Sequence, residues 1–231
     1  MIKNKSVTAI ILIAGSSERF GKKTNKNFEL LNNKPLFIYS IDTFLKNKYI
    51  DNIILVIKKE EEKIVGDELK KHITNNIITL VVGGKTRDQS VYNALLKTKD
   101  DIVIIHDGAR PLIKDEYINN CLYEMDNYKG VTIGVKSKDT IKITNNDEEV
   151  IETTVRKNTW LIQTPQCFDR KILFSSHKKI KDKQNITDDC SLLENCGYKI
   201  KIIEGDYMNI KVTTKEDIYI INVFKNNVDM L

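Results

Sequence analysis

Five apolar runs of strand length recur along this chain: "VTAIILI" at 7–13, "NIILVIK" at 52–58, "IITLVV" at 77–82, "DIVIIHD" at 101–107 and "GVTIGVK" at 130–136. The first has no polar alternation, the mark of a strand covered on both faces. Helical patterns separate them. "KPLFIYSIDTFLKN" carries Pro35 near its start, "KEEEKIVGDELKKHI" is a polar helix, "TRDQSVYNALLK" follows Gly83-Gly84, and another helix lies near 114–128. This alternation predicts an α/β fold, a mostly parallel sheet with helices on both faces.

The pattern breaks after Lys136. "DTIKITNNDEEVIETTVRK" reads as two short strands around an Asn-Asn-Asp turn, a hairpin-like arm over 137–158. "NTWLIQTPQCF" then leads into a helix, a second helix goes with "ITDDCSLLENCG", and "YKIKIIEGD" is a strand. In "MNIKVTTKEDIYIINVF", Thr213 or Thr214 can cap a final helix. With no repeat, low-complexity tract or linker, residues 1–231 read as one domain with an inserted arm.

No apolar run approaches the about eighteen residues needed to cross a bilayer. The charged start followed by a short apolar run raises a signal peptide, but that run has strand length and opens the repeating pattern. Cys121, Cys167, Cys190 and Cys196 show no C-x-x-C spacing, so they read as ordinary reduced thiols of a cytoplasmic protein. The net charge of +5 is mild and the lysines are scattered, which argues against nucleic acid and fits a small anionic ligand. Only five of the 37 basic residues are arginines: Arg19, Arg87, Arg110, Arg156 and Arg170. A planar fork binds phosphate or carboxylate in a way a lysine cannot copy, so each invites a reason.

Ligands of open α/β sheets bind beyond the carboxyl ends of the parallel strands. The first strand feeds "LIAGSSERFGKKTNKNFELL", residues 12–31, about twice the two to six residues of a plain connection. Its Gly15, Ser16 and Ser17 let the backbone pass close to phosphate oxygens, and Arg19 and Lys26 add charge. It is neither a P-loop nor a dinucleotide G-x-G-x-x-G. "GGKTRDQSV" sets two glycines at a strand end, with Ser90 in the first helical turn. "VIIHDGARP" ends a buried strand on Asp107, with Arg110 three residues on; an Asp–Arg pair is the plain structural reading, and His106 reads as a packed strand-end residue. In "NIKVTT", Lys211 sits next to a helix start.

Together the stretches 12–26, 83–90, 106–111, 139–142, 156–166, 187–189 and 209–214 resemble, in order and spacing, the 2-C-methyl-D-erythritol 4-phosphate cytidylyltransferase family. The most distinctive pieces are "HDGARP", "DTIK", "QTPQCF" and "NIKVTT". The resemblance covers almost the whole chain. It implies a Rossmann-like nucleotidyltransferase fold and transfer of CMP from CTP to 2-C-methyl-D-erythritol 4-phosphate. Pyrophosphate is released, with Mg²⁺, in the non-mevalonate isoprenoid pathway. It also implies a homodimer whose arms interlock and complete each other's sites.

By position, the resemblance makes Arg19 and Lys26 holders of the CTP phosphates and brings Lys211 to the α-phosphate. Ala14 and Gly15 fall among the nucleotide-binding positions. Gly83 and Ser90 match positions near the cytidine, and Asp107 and Gly108 the ribose region. Arg110, Thr164 and Lys211 line the sugar-phosphate side, and Thr187 is a further substrate position. Thr140 and Arg156, on the arm, match residues that grip the substrate phosphate across the dimer. The usual Pro-Lys-Gln is Asn-Lys-Asn at 25–27, which is expected to loosen the turn before Lys26. The alanine usual after the aspartate is Gly108.

The chemistry implied is in-line attack of a phosphate-bearing alcohol on the α-phosphorus, relying on positioning and charge rather than a dedicated base. Mg²⁺ held through phosphates and water needs no carboxylate cluster, so no metal ligand is assigned. Ribitol-5-phosphate cytidylyltransferases share the fold. "HDGARP", where that family tends to have a valine before the arginine, together with "DTIK" and "ITDD" favours methylerythritol phosphate. A non-catalytic binding module would be expected to lack one of the cations, and a related glycosyltransferase would carry an Asp-x-Asp motif, which is missing.

Overall fold

Apolar runs that cannot satisfy their backbone groups in a core do so by pairing with one another. The computed structural model describes residues 4–15, 25–74, 77–180 and 186–227. In chain order its elements are β1 (Val7–Leu12), β2 (Leu30–Leu31), β3 (Lys34–Pro35), α1 (Leu36–Lys46), β4 (Asn52–Ile57), α2 (Glu62–His72), β5 (Ile78–Val82), α3 (Arg87–Leu95), β6 (Ile102–Asp107), α4 (Asp115–Glu124), β7 (Gly130–Lys136), β8 (Lys142–Thr144), β9 (Val150–Thr153), β10 (Trp160–Asp169), α5 (Arg170–Lys179), α6 (Asp189–Glu194), β11 (Ile200–Glu204) and α7 (Lys215–Asn227).

Seven strands form one sheet in the order β11-β7-β10-β6-β1-β4-β5. Every neighbouring pair is parallel except the two that β10 makes. Register then builds a rim. Leu12 stands opposite both Val56 and Asp107, and Ile57 opposite Val82, so the carboxyl ends of β1, β4, β5 and β6 finish together.

Both faces of the sheet are covered. Phe37, Ile41 and Phe44 of α1 and Ile118 and Leu122 of α4 pack on one side, while Val91 of α3, Leu173 of α5 and Leu192 of α6 pack on the other. Each fully buried Leu, Ile or Phe contributes about 1.5–3 kcal/mol. Local chemistry sets the helix starts. Pro35, with φ fixed at −57°, leads into α1. Thr86 Oγ1 accepts from the Gln89 N–H at 3.4 Å to cap α3, and Asp169 Oδ1 accepts from the Ile172 N–H at 3.1 Å to cap α5. The Asp217 carboxylate accepts from the N–H groups of Thr213 and Thr214 at 2.7 and 2.8 Å, closing the start of α7.

One element differs from the sequence expectation. "NTWLIQTPQCF" does lead into a helix, α5, but is itself most of β10, a ten-residue antiparallel strand inserted between β6 and β7 that the sequence reading did not assign. Its register shifts between Ile162 and Gln166, and there the Asp107 N–H donates to Thr164 Oγ1 at 3.1 Å. The irregularity carries Thr164 to the rim. Within 137–158, β8 and β9 pair antiparallel as a separate two-stranded hairpin.

Candidate active site

The rim holds two adjoining pockets. The larger, of about 800 Å³, is lined by Ala14, Gly15, Lys26, Gly83, Gly84, Ser90, Asp107 and Lys211, with Lys58, Lys59 and Lys85 around it. The smaller, of about 480 Å³, is lined by Arg110, Thr132, Gln163, Thr164, Gln166 and Thr187 together with residues of α6. Three side chains line both: Arg87, Asp107 and Lys211. They are the wall between the pockets.

That wall is an ion cluster. Lys211 Nζ lies 2.7 Å from Asp107 Oδ2, and Arg87 Nε 3.6 Å from Asp107 Oδ1. Arg87 Nη1 also donates to Asp189 Oδ2 at 2.6 Å. Burial opposes the charge on Asp107, but Arg87, Lys211 and Arg110 outweigh it and hold its carboxyl far below the ordinary carboxylate range. Burial likewise opposes the charge on Arg87, and Asp189 and Asp107 overcome it, raising its pKa. Arg110 does not make the Asp–Arg pair that was the plain reading. Its Nη1 donates to the Asn209 carbonyl at 2.6 Å.

Lys211 is held by its neighbours. The Val212 N–H donates to the Ala109 carbonyl at 2.8 Å, and Asn209 Nδ2 donates to the Thr164 carbonyl at 3.0 Å. Val212 packs with Leu31, Leu36, Ala109 and Ile221 in a small cluster of its own. The 209–212 segment is thereby tied to the turn after β6 and to β10, and the lysine's stem leaves from a hydrogen-bonded base.

Lys26 faces the larger pocket from a short 3-10 turn, Lys26–Phe28. Its lead-in is not loosened by the missing proline. Asn25 Nδ2 donates to the Ile13 carbonyl at 2.6 Å and to Glu61 at 3.0 Å, while its Oδ1 accepts from the Asn27 N–H at 3.1 Å. An asparagine at this cap replaces a proline's rigid φ by hydrogen bonds. Arg19 lies outside the described residues, as do Ser16 and Ser17.

His106 is fully buried, as the sequence suggested. Its ring bridges Thr164 Oγ1 (3.0 Å, at Nδ1) and the Arg110 carbonyl (3.2 Å, at Nε2). Ser90 is buried at the pocket edge, where its hydroxyl donates to the Thr86 carbonyl at 2.9 Å and accepts from the Gly84 N–H at 3.1 Å. Gly108 lines neither pocket; a Cβ there would stand 2.5 Å from Ile13 Cγ2. Thr140 and Arg156 are exposed on the arm, away from both pockets, with Arg156 Nη2 donating to Thr140 Oγ1 at 2.8 Å.

Gly83 is required by close approach. A Cβ on it would meet Ser90 Oγ at 2.7 Å and Ala14 Cβ at 3.0 Å. Gly83→Ala is therefore expected to cost about 1–3 kcal/mol, lowering Tm by several degrees in a circular-dichroism melt. Gly66→Ala, in α2 with nothing within 4 Å of the added atom, should instead raise it slightly, since alanine is worth about 1 kcal/mol over glycine in a helix.

Two residues of this ion cluster, one in the wall and one behind it, had no site assignment from the sequence. Arg87 stood out as one of five arginines and inside the 83–90 motif, and Asp189 as part of "ITDD" in the 187–189 motif, neither with a role of its own. They lie 102 positions apart, and nothing local signals their pairing.

The family of 2-C-methyl-D-erythritol 4-phosphate cytidylyltransferases matches residues 7–225. A protein of that name from Clostridium beijerinckii is 42% identical over 224 residues, covering 96% of this chain and 99% of its own length. The crystal structure of 4-diphosphocytidyl-2C-methyl-D-erythritol synthase from Anaerococcus prevotii is 34% identical with a TM-score of 0.87, covering 97% of this chain and 98% of that one. The Francisella tularensis 2-C-methyl-D-erythritol 4-phosphate cytidylyltransferase is 28% identical, with a TM-score of 0.80 over 94% and 99% of the two chains.

Proposed function

Since this chain belongs to the 2-C-methyl-D-erythritol 4-phosphate cytidylyltransferase family and is a CTP-dependent cytidylyltransferase, we propose that its two pockets take one substrate each. The reaction transfers CMP from CTP to 2-C-methyl-D-erythritol 4-phosphate in isoprenoid biosynthesis; ribitol 5-phosphate as the acceptor is not favoured. The observation that carries the division is the shared wall of Arg87, Asp107 and Lys211.

CTP occupies the larger pocket. Gly83 and Ser90 stand at the cytidine, Asp107 in the ribose region with Gly108 behind it against Ile13, and Ala14, Gly15 and Lys26 around the triphosphate, where the family resemblance also assigns Arg19. The sugar phosphate occupies the smaller pocket, beside Arg110, Thr164 and Thr187. A phosphate oxygen of the acceptor attacks the α-phosphorus in line, the bond to the β-phosphate breaks, and pyrophosphate carries away the electron pair. The nucleophile is already an anion, so no base has to remove a proton. Lys26, Lys211 and Arg19 meet the charge that grows on the α-phosphate and the leaving group.

Mg²⁺, when bound, would neutralise charge on the triphosphate. No cluster of three or more His, Cys, Asp or Glu side chains suited to caging an ion occurs among the described residues, and Asp107 is engaged by Lys211 and Arg87. This donor set fits an ion that would be held by phosphate oxygens and water, and Asp107 is the carboxylate the wall could offer.

The arm makes the enzyme a homodimer. Val150, Ile151 and Val155 expose 57, 67 and 57% of their surface, and a lone two-stranded hairpin is marginal in water. Seated on a second copy, the arm brings Thr140 and Arg156 to the partner's sugar phosphate. Arg156→Ala is then expected to raise the KM for the sugar phosphate by about tenfold or more, with little change in that for CTP; equal effects would count against the cross-dimer grip. No described helix is long and apolar enough to cross a membrane, and we place the enzyme in the cytoplasm, where CTP is found. Pyrophosphate release from CTP and Mg²⁺ with either sugar phosphate tests the whole reading, which fails if ribitol 5-phosphate is the better acceptor.

A further inference from the structure

We propose that Asp189 is a positioning residue for this reaction: through Arg87 it holds the Asp107 carboxylate, and with it Lys211, in place between the two pockets. The inference deepens the reading above and rests on it.

Asp189 is 1% exposed and lines neither pocket. Its Oδ2 accepts from Arg87 Nη1 at 2.6 Å, Arg87 Nε lies 3.6 Å from Asp107 Oδ1, and Asp107 Oδ2 lies 2.7 Å from Lys211 Nζ. Four side chains thus alternate in sign along one chain of contacts. Its far end is anchored. Asp188 caps α6 by accepting from the Ser191 N–H at 3.0 Å, and its other oxygen accepts from Gln166 Nε2 at 2.7 Å, which fixes the start of α6 to β10.

A buried ion pair adds little net stability compared with apolar residues of the same volume. Stability alone is therefore a weak reason for a buried carboxylate here. Arg87 supplies what a lysine cannot, a fork that engages two carboxylates at once. Without Asp189 the whole guanidinium is available to Asp107 and competes with Lys211 for it. The lysine then loses the contact that aims it, and a misplacement of about 1 Å near a reacting centre can cost about a hundredfold in rate.

Residues that act as a unit are non-additive, whereas a merely structural residue loses the same factor in any background. The test is a double-mutant cycle of Asp189→Asn and Lys211→Ala, read as steady-state pyrophosphate release well below the melting temperature. Asp189→Asn is expected to lower kcat by at least about tenfold, with the KM for CTP within about threefold, and to cost less than about twofold when Lys211 is already alanine. A smaller kcat loss in the single variant, a larger change in that KM, or a loss of about twofold or more in the alanine background overturns the proposal. Should Asp189→Asn fail to fold, Arg87→Lys, which keeps the charge and loses the fork, is read by the same criteria. A parent enzyme that releases no pyrophosphate overturns the functional reading and this proposal with it. An active parent with additive losses overturns this proposal alone.

Discussion

Lys211→Ala is expected to lower turnover at least about a hundredfold while the protein stays folded. The lysine lines both pockets, at 2.7 Å from Asp107, and leaves a segment fixed by the Val212–Ala109 and Asn209–Thr164 hydrogen bonds. A cation already held where charge develops costs no reorganisation when the α-phosphorus is attacked. Its removal therefore falls on the transition state more than on CTP binding. The truncation also leaves Asp107 with less compensation, so a carboxylate countered chiefly by Arg87 faces the incoming anions. The side chain is partly exposed and belongs to no apolar cluster, and its loss should move Tm by only a few degrees. Pyrophosphate release alongside a thermal melt checks both halves; near-parental turnover would remove Lys211 from the chemistry.

The second large effect is on stability against pH. His106 sits in a directional chain: the Asp107 N–H donates to Thr164 Oγ1, the Thr164 hydroxyl donates to His106 Nδ1, and His106 Nε2–H donates to the Arg110 carbonyl. That chain is satisfied by the neutral ring. A proton on Nδ1 would turn it into a donor facing a hydroxyl that already accepts from Asp107. Burial, the dominant cause, lowers the His106 pKa to about 4. Unfolded, the ring takes up its proton below about 6.5. The unfolded chain therefore binds the extra proton between those values. The stability this residue contributes is complete above about pH 6.5 and is lost as pH falls toward 4, by about 3 kcal/mol. In urea titrations at pH 7 and pH 4.5, His106→Gln should lose less stability than the parent protein over that interval. Parallel losses would show that the ring is not the group responsible.

Much of this was legible in one dimension, because it depends on neighbours in sequence. Continuous apolar runs announced β1, β4, β5, β6 and β7, and Pro35 and Thr86 stand at the helix starts they suit. Gly83 sits where a strand end meets a helix start, and its need to be glycine follows from how near Ser90 and Ala14 lie. Asp107 closing a buried strand, and Lys211 in "NIKVTT", could be read as rim residues from the order of elements alone. β10 could not. Its polar Gln163, Thr164 and Gln166 and its Pro165 look like a connection, since a proline and broken alternation argue against a central strand. They are tolerated because the register shifts at that point and the polar side chains find partners at the rim.

By itself, then, the chain's order of residues determined the layered sheet, the rim and most of the cations that face it, because periodicity and turn chemistry are local properties. It also carried enough spaced motifs to indicate the family. Only the tertiary structure decided that Arg87 meets Asp189 across 102 positions, that Asp107 pairs with Lys211 rather than Arg110, and that one ion cluster separates two pockets. Side chains far apart in sequence are brought within ion-pair distance by packing on a common sheet, and no local pattern encodes which of several equal charges will be the one that arrives.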